Sequence, residues 1–253
     1  MTLVRELRLL FWRKMLETLR QPAWVVVGLS TPLLYLALFA PLLKPLSSGA
    51  GFPGADVLDV FLPGVLVLLA FGAGMGAGWI VIAELDTGVL ERLRVTSASR
   101  LALPLGSVLR DVVMLVVPAL IVVCVAIPFG YHPHWPGIAV LFVLLSLVTA
   151  LVSATSHALG MLLKEIGSLA AIVTGLQLPL TLLSGVLLPL SLGPGWLDVL
   201  GHFNPLYYAV VAARELSAGT IASADVAYGF VVVGALTALA MWWTTRVYRK
   251  AVA

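Results

Sequence analysis

Long apolar runs separated by short polar segments dominate this chain. Six runs are long enough to cross a hydrocarbon core of about 30 Å as helices of about 20 residues. They cover residues 22–43, 58–83, 103–130, 137–163, 168–190 and 225–245. The runs are continuously apolar and do not alternate with a period of two, so they predict spanning helices and not the strands of a membrane barrel.

The composition agrees with this pattern. Hydrophobic residues make up 61% of the chain and charged residues only 11%, whereas about a quarter of a soluble domain is charged. We therefore predict an all-α integral membrane protein with one transmembrane domain over residues 1–253. The first apolar run is too long for the apolar part of a cleavable signal, so we expect it to stay as an anchor.

The basic residues are distributed unevenly about the six predicted spans. Every Lys and Arg except Lys44 and Arg214 falls on the side that holds both termini. Because cytoplasmic segments carry an excess of Lys and Arg, we predict a multi-pass protein with both termini in the cytoplasm.

Two segments outside the spans have patterns of their own. Within residues 1–20, Leu3, Leu7 and Leu10 recur at helical spacing among basic residues, which predicts an amphipathic helix on the inner membrane surface. A disordered basic tail is the alternative. The extracytoplasmic segment 191–224 mixes Gly, Pro and Trp with apolar stretches, so short helices that re-enter the membrane before span six are possible.

The loop 84–101, between spans two and three, contains much of the charge of the chain. Positive-inside bias explains its arginines but not Glu84, Asp86 and Glu91, because acidic residues contribute little to topology. Leu90 and Leu93 belong to a narrow apolar face on a short helix. Such a helix is suited to docking in a groove of a partner protein, and topology alone remains the alternative.

This loop resembles the signature region of type-2 ABC exporter permeases of the multidrug and daunorubicin-resistance kind. The matching residues in "ELDTGVLERLRVTSASRLALPLGSVL" are Thr87, Gly88, Leu90, Glu91, Leu93, Thr96, Ser99 and Arg100. Ser97 and Ser107 stand where proline and lysine are usual. "RQPAWVVVGLSTPLLYLALF" and "FNPLYYAVVAARELSAG" resemble the family's first-span entry and its Asn-Pro-Leu segment, in the same order along the chain.

The resemblance implies a cytoplasmic coupling helix in this loop that contacts a separate ABC ATPase. The residues expected to make or support that contact are Glu84, Thr87, Gly88, Leu90, Glu91, Arg92, Leu93 and Arg100. No lysine follows a glycine in this chain, so a phosphate-binding G-x-x-x-x-G-K-[ST] motif is absent. We expect no enzyme activity and no cofactor in this chain, with ATP and Mg bound by the partner ATPase.

The resemblance also implies the assembly and the location. We expect two ABC ATPase subunits, a second permease copy as homodimer or heterodimer, and no nucleic acid. The expected location is a bacterial cytoplasmic membrane.

Two groups of span residues are candidates for transport and packing. The resemblance implies that spans two and five flank a central cavity. The candidates for the substrate path are the residues of a polar stripe on span five: Thr174, Gln177, Thr181 and Ser184. Hydrogen bonds between helices are an equally good explanation of this stripe. The glycines of span two, expected to allow close helix packing, are Gly72, Gly74, Gly76 and Gly78.

Other polar residues have structural interpretations. His157 shares a face of span four with Ser153, and we expect it to be a hydrogen-bonded structural residue and not a proton carrier. The single cysteine, Cys124, lies in an apolar run, and we predict no metal site.

The expected function is export of an amphipathic, drug-like or lipid-like substrate, driven by ATP. A permease for lipid-linked saccharides or polysaccharides is the close alternative. An ion-coupled secondary transporter is the rival of another class, and such carriers place ionisable residues within the membrane.

Overall fold

The computed structural model describes residues 3–20, 22–43, 57–89, 102–186, 190 and 193–251. Over these ranges the chain is helical and contains no strand. The helices are α1 Leu3–Leu19, α2 Pro22–Leu43, α3 Val57–Met75, α4 Ala77–Asp86, α5 Ala102–Ala126, α6 Trp135–Leu163, α7 Ile166–Leu182, α8 Gly195–Gly201, α9 Pro205–Ser217 and α10 Ala224–Ala251.

Four helical segments of the described chain are long and apolar enough to span a membrane. They are Leu58–Asp86, Ala102–Phe129, Trp135–Leu163 and Ala224–Lys250. The prediction of an all-helical membrane protein is therefore confirmed. α2 coincides with the predicted first span, 22–43. α7 overlaps the predicted fifth span, 168–190, but the helix ends at Leu182, where a turn over residues 183–185 begins. The count of six spans stays a prediction.

α6 is the central helix of the bundle. It packs against α3, α4, α5, α9 and α10, and its Leu141, Leu144, Leu145 and Val148 have no solvent exposure. A helix that is apolar on every side is suited to this position, because it meets neighbours all round. α6 therefore fixes the relative placement of the spans.

The second span is broken between α3 and α4, at Gly76. Ser156 of α6 bridges this break: its hydroxyl donates to the Met75 carbonyl at 2.7 Å and accepts from the Gly78 N–H at 2.9 Å. Inside a membrane, backbone groups freed by a helix break must find partners in neighbouring helices. Ser156 supplies both partners with one side chain.

Two short helices, α8 and α9, occupy the predicted extracytoplasmic segment. Asn204 caps α9 by accepting from the Leu206 N–H at 3.0 Å, and Pro205 occupies the first helical position, where a missing N–H costs nothing. The Asn204 amide also donates to the Leu180 carbonyl at 2.6 Å, which ties α9 to α7. Re-entry of α8 and α9 into the membrane stays a prediction.

Arg214 of α9 crosslinks the bundle at this same end. Its guanidinium donates to the Val60 carbonyl of α3 at 3.1 Å and to the Gly185 carbonyl at 2.6 Å. Burial lowers the pKa of Arg214 to about 10, an effect that Tyr207 opposes. Arg214 therefore links α9 to α3 and to the turn after α7. Neither segment directly precedes α9 in the chain.

Candidate functional site: the stems of the charged loop

α1 packs against the first turns of α5. Leu10 and Phe11 lie against Gly106, where an added Cβ would stand 3.3 Å from the Leu10 Cβ. On the same side of α1, Lys14 forms an ion pair with Glu84 in the last turns of α4. The two side chains are only 8% and 10% exposed, so this pair is buried between the helices.

One helical turn beyond Lys14, Thr18 accepts a hydrogen bond from the Arg110 guanidinium of α5 at 3.3 Å. Residues four apart on a helix lie on the same face, so a single face of α1 holds both α4 and α5. α4 leads into loop 84–101 and α5 leaves it. We call Lys14, Thr18, Glu84 and Arg110 the α1 clamp, because they join the two stems of the loop.

The charges in the clamp depend on one another. Burial lowers the pKa of Lys14, and the neighbouring Glu84 carboxylate opposes this effect. A buried ion pair is weak evidence for stability, but removal of one partner leaves a desolvated charge and typically costs about 3–5 kcal/mol. The clamp is therefore sensitive to the loss of either charge.

A second polar cluster continues from the clamp towards the centre of the bundle. Arg110 pairs with Asp111, and the Ser153 hydroxyl of α6 donates to Asp111 Oδ2 at 2.5 Å. His157 Nδ1 lies 2.8 Å from the Ser153 carbonyl. The predicted hydrogen bonding of His157 is thus confirmed, its purely structural role stays a prediction, and the polar contacts run without interruption from α1 to α6.

Three of the residues expected to contact the ATPase or support that contact lie in the described chain, at the end of α4. They are Glu84, Thr87 and Gly88. Glu84 faces α1, as described above. The Thr87 hydroxyl and N–H both donate to the Ala83 carbonyl, at 2.8 and 3.1 Å. Gly88 has a φ of 68°, the left-handed conformation that commonly ends a helix and favours glycine. These residues therefore end α4 at the entry to the loop.

The other expected contact residues lie outside the described residues. They are Leu90, Glu91, Arg92, Leu93 and Arg100. Their part in ATPase docking stays a prediction, as does that of Glu84, Thr87 and Gly88.

The four glycines of the second span face different surroundings. A Cβ added at Gly74 would stand 2.8 Å from the Thr149 carbonyl oxygen, and one at Gly78 would stand 2.6 Å from the Ser156 carbonyl oxygen. At Gly72 and Gly76 an added Cβ would have nothing within 4 Å. The α3–α4 segment thus approaches α6 closely through Gly74 and Gly78. Gly72 and Gly76, which alternate with them in the sequence, do not take part in this close contact.

The polar stripe of the fifth span also divides. Thr174 and Gln177 are exposed on α7, whereas Thr181 is half-buried. Ser184 follows the end of α7 and is fully buried, with its hydroxyl donating to the Thr181 carbonyl at 2.6 Å. The exposed part of the stripe therefore consists of Thr174 and Gln177, and among the described residues no enclosed cavity surrounds it.

Sequence reasoning missed Lys14, Asp111 and the pairing of Arg110 as site residues. One signal was present in the adjacent Arg110 and Asp111, which introduce opposite charges at the start of an apolar run. Another was the position of Lys14, four residues after Leu10 on the face that packs against α5. The distribution of basic residues used for topology does not distinguish Lys14 and Arg110 from the other cytoplasmic cations.

Comparison with known proteins agrees with these observations. The family model described as ABC-2 type transporter matches residues 5–217. The chain is 28% identical over 215 residues to "Putative transport permease ycf38" of Cyanophora paradoxa, covering 84% of this chain and 74% of that protein. It is 27% identical over 243 residues to "Daunorubicin resistance ABC transporter permease protein DrrB1" of Streptomyces coeruleorubidus, covering 94% and 84%.

The family match covers most of the chain and includes α1 from residue 5 onward, the loop and its stems, and α9. It confirms the resemblance that the loop sequence suggested. The chain therefore belongs to the ABC-2 type transporter family, as a membrane permease.

Proposed function

We propose that this chain is the membrane-spanning subunit of an ATP-driven exporter, with ATP hydrolysed by a separate ABC ATPase. The observation that carries this proposal is the α1 clamp, which holds both stems of loop 84–101. A loop that transmits motion from a docked ATPase needs stems that move together with the spans. Lys14 and Thr18 provide that link, because they join α4 and α5 through buried polar contacts.

The substrate is proposed to be amphipathic and drug-like or lipid-like. The exposed surface of α7 combines Thr174 and Gln177 with Leu178 and Leu182, which are 66% and 62% exposed. α7 contains no charged residue, so this surface suits a molecule that is partly polar and largely apolar. The permeases with which it is compared include one named for daunorubicin resistance, which supports a drug-like substrate.

The assembly is proposed to contain two permease copies and two ATPases in a bacterial cytoplasmic membrane, with both termini in the cytoplasm. The exposure of α7 supports the second copy, since an apolar surface this open in one chain needs lipid, substrate or protein beside it. A lipid-linked saccharide exporter would use the same assembly with a different substrate.

The ion-coupled alternative gains some support from the buried charges near α5. However, two buried acids there have basic partners: Glu84 has Lys14, and Asp111 has Arg110. Paired charges of this kind suit a structural link better than an exchangeable proton site, so the exporter is favoured.

Reconstitution into vesicles with a candidate ABC ATPase tests this proposal. We expect ATP-dependent movement of an amphipathic fluorescent dye that a protonophore does not abolish. Glu84→Gln should lower transport per ATP hydrolysed several-fold, and the charge exchange Lys14→Glu/Glu84→Lys should restore part of it. The control is Asp86→Asn, which removes an exposed carboxylate of the same helix.

Each alternative gives a distinct outcome in this assay. Transport that follows a proton gradient without ATP would replace the exporter by the ion-coupled carrier. Movement of a lipid-linked sugar but not of the dye would favour the saccharide exporter. Equal coupling in Glu84→Gln and Asp86→Asn would contradict the role of the clamp.

A further inference from the structure

α1 has a second apolar face, which points away from α5. Leu9, Trp12, Leu16 and Leu19 follow one another at spacings of three, four and three, so they share one side of the helix. They are between 40% and 58% exposed. Lys14 and Thr18, which hold the stems of the loop, lie on the opposite side. Within the part of the chain that the structure describes, α1 is thus covered by protein on one face only.

Exposed arginines accompany this outer face. At 3.6 residues per turn, Arg8 falls at one edge of the apolar stripe, Arg13 and Arg20 at the other, and Arg5 near its N-terminal end. Glu17 is an exposed acidic side chain on this helix, so cations outnumber acids on the outer surface. An apolar stripe bordered by cations is typical of helices that insert at the boundary of acyl chains and anionic headgroups.

The neighbouring surface of α5 indicates which medium covers this stripe. Leu105 and Leu109 are 36% and 42% exposed in the same turns of α5 where Gly106 contacts α1. α5 belongs to a candidate membrane span, so its outward apolar side chains are expected to contact lipid. Because Gly106 brings α1 against these turns of α5, α1 lies beside a surface expected to face lipid, which favours lipid as the occupant of its stripe.

We propose that the outer face of α1 is a binding surface for anionic phospholipid headgroups, with the arginines on the phosphates and the apolar stripe among the acyl chains. Guanidinium groups bind phosphate through two parallel hydrogen bonds, which gives the surface its preference for anionic over zwitterionic lipid. The inner face of the same helix holds Glu84 and Arg110, so lipid bound outside and the loop stems inside share one rigid element.

This inference goes beyond the exporter function and needs no ATPase for its test. Cys124 is the only cysteine, so Cys124→Ala gives a background in which Leu16→Cys accepts one fluorophore. The labelled full chain is reconstituted in phosphatidylcholine vesicles with a trace of spin-labelled phosphatidylglycerol or spin-labelled phosphatidylcholine. The ratio of the two quenching constants measures the headgroup preference at the stripe.

We expect the anionic lipid to quench several-fold more strongly than the zwitterionic one. Arg8→Gln/Arg13→Gln should reduce this preference by roughly fivefold or more, since each arginine near a charged surface changes partitioning by about that factor. The matched control, Arg249→Gln/Lys250→Gln, removes two exposed cations from the end of α10 and should leave the preference unchanged.

Three results would overturn the proposal. Equal quenching by both lipids would mean apolar contact without headgroup selection. Absence of quenching by either lipid would mean that protein covers the stripe. An equal loss of preference in the α10 control would assign the effect to the overall charge of the protein. All three can occur whether or not the chain is an ATP-driven exporter, because no ATPase is in the sample.

Discussion

α6 and α7 are consecutive apolar helices, and each has polar side chains on one face: Thr149, Ser153 and Ser156 on α6, and Thr174, Gln177 and Thr181 on α7. The surroundings of these two polar stripes differ. On α6, Thr149 donates to the Ala70 carbonyl at 3.0 Å, and Ser156 bridges the broken second span. On α7, Thr174 and Gln177 are exposed, and the buried residues of the helix are Leu169 and Val173. A stripe of polar side chains therefore shows that a helix has groups that can form hydrogen bonds. It does not show whether neighbouring helices supply the partners.

The difference has consequences for function. The polar side chains of the α6 stripe form hydrogen bonds with α3, α4 and α5. α6 therefore has a structural role, because it holds these helices in place. The exposed stripe of α7 remains available to a substrate or to a second permease copy. Three substitutions test whether this division is real.

The largest expected effect is at Gly160 of α6. A Cβ added there would stand 2.6 Å from the Gly78 carbonyl oxygen, so Gly160→Val must push α4 and α6 apart. We expect a loss of stability of about 3 kcal/mol, seen as a lower temperature of thermal unfolding in detergent. Gly175→Val on α7 is the control, since an added Cβ there has nothing within 4 Å. Equal losses in the two variants would remove the contrast between the helices.

A moderate effect is expected at Ser156. Ser156→Ala removes the side chain that partners the Met75 carbonyl and the Gly78 N–H. Hydrogen bonds between helices in a membrane contribute about 0.6 kcal/mol on average, so we expect a loss of about 1 kcal/mol. Thermal unfolding again measures it, beside Thr174→Ala on α7, which should be unchanged. A stable Ser156→Ala variant would show that the break needs no bridge.

The smallest effect on stability is expected at Gln177. Its side chain is exposed, so Gln177→Leu should change the free energy of unfolding by no more than about 0.5 kcal/mol. Transport of the amphipathic dye should nevertheless fall several-fold if α7 borders the substrate path. Thr155→Val on α6 is the control, because the Thr155 hydroxyl bonds only to the Leu151 carbonyl of its own helix among the described contacts. Unchanged transport in Gln177→Leu would separate α7 from the path.

The α1 clamp shows where sequence reasoning was insufficient. Periodicity correctly predicted a helix near the N-terminus, and Leu10 does pack as an apolar residue of that helix. In the sequence, Lys14 is one more cytoplasmic cation, because a single sequence does not reveal which distant carboxylate a lysine meets. Its partner Glu84 is 70 positions away, and only the packing of α1 against α5 and α4 brings them together.

The sequence alone determined the helical membrane class and the family of this protein. Both depend on local information: the length of apolar runs, which must match the bilayer, and the order of residues in loop 84–101. The tertiary structure decided which polar residues are buried bridges and which are open surface. That choice depends on the neighbours of each helix: Ser156 meets the broken second span and is hydrogen-bonded to it, whereas Gln177, in a similar polar pattern, lies on an exposed surface.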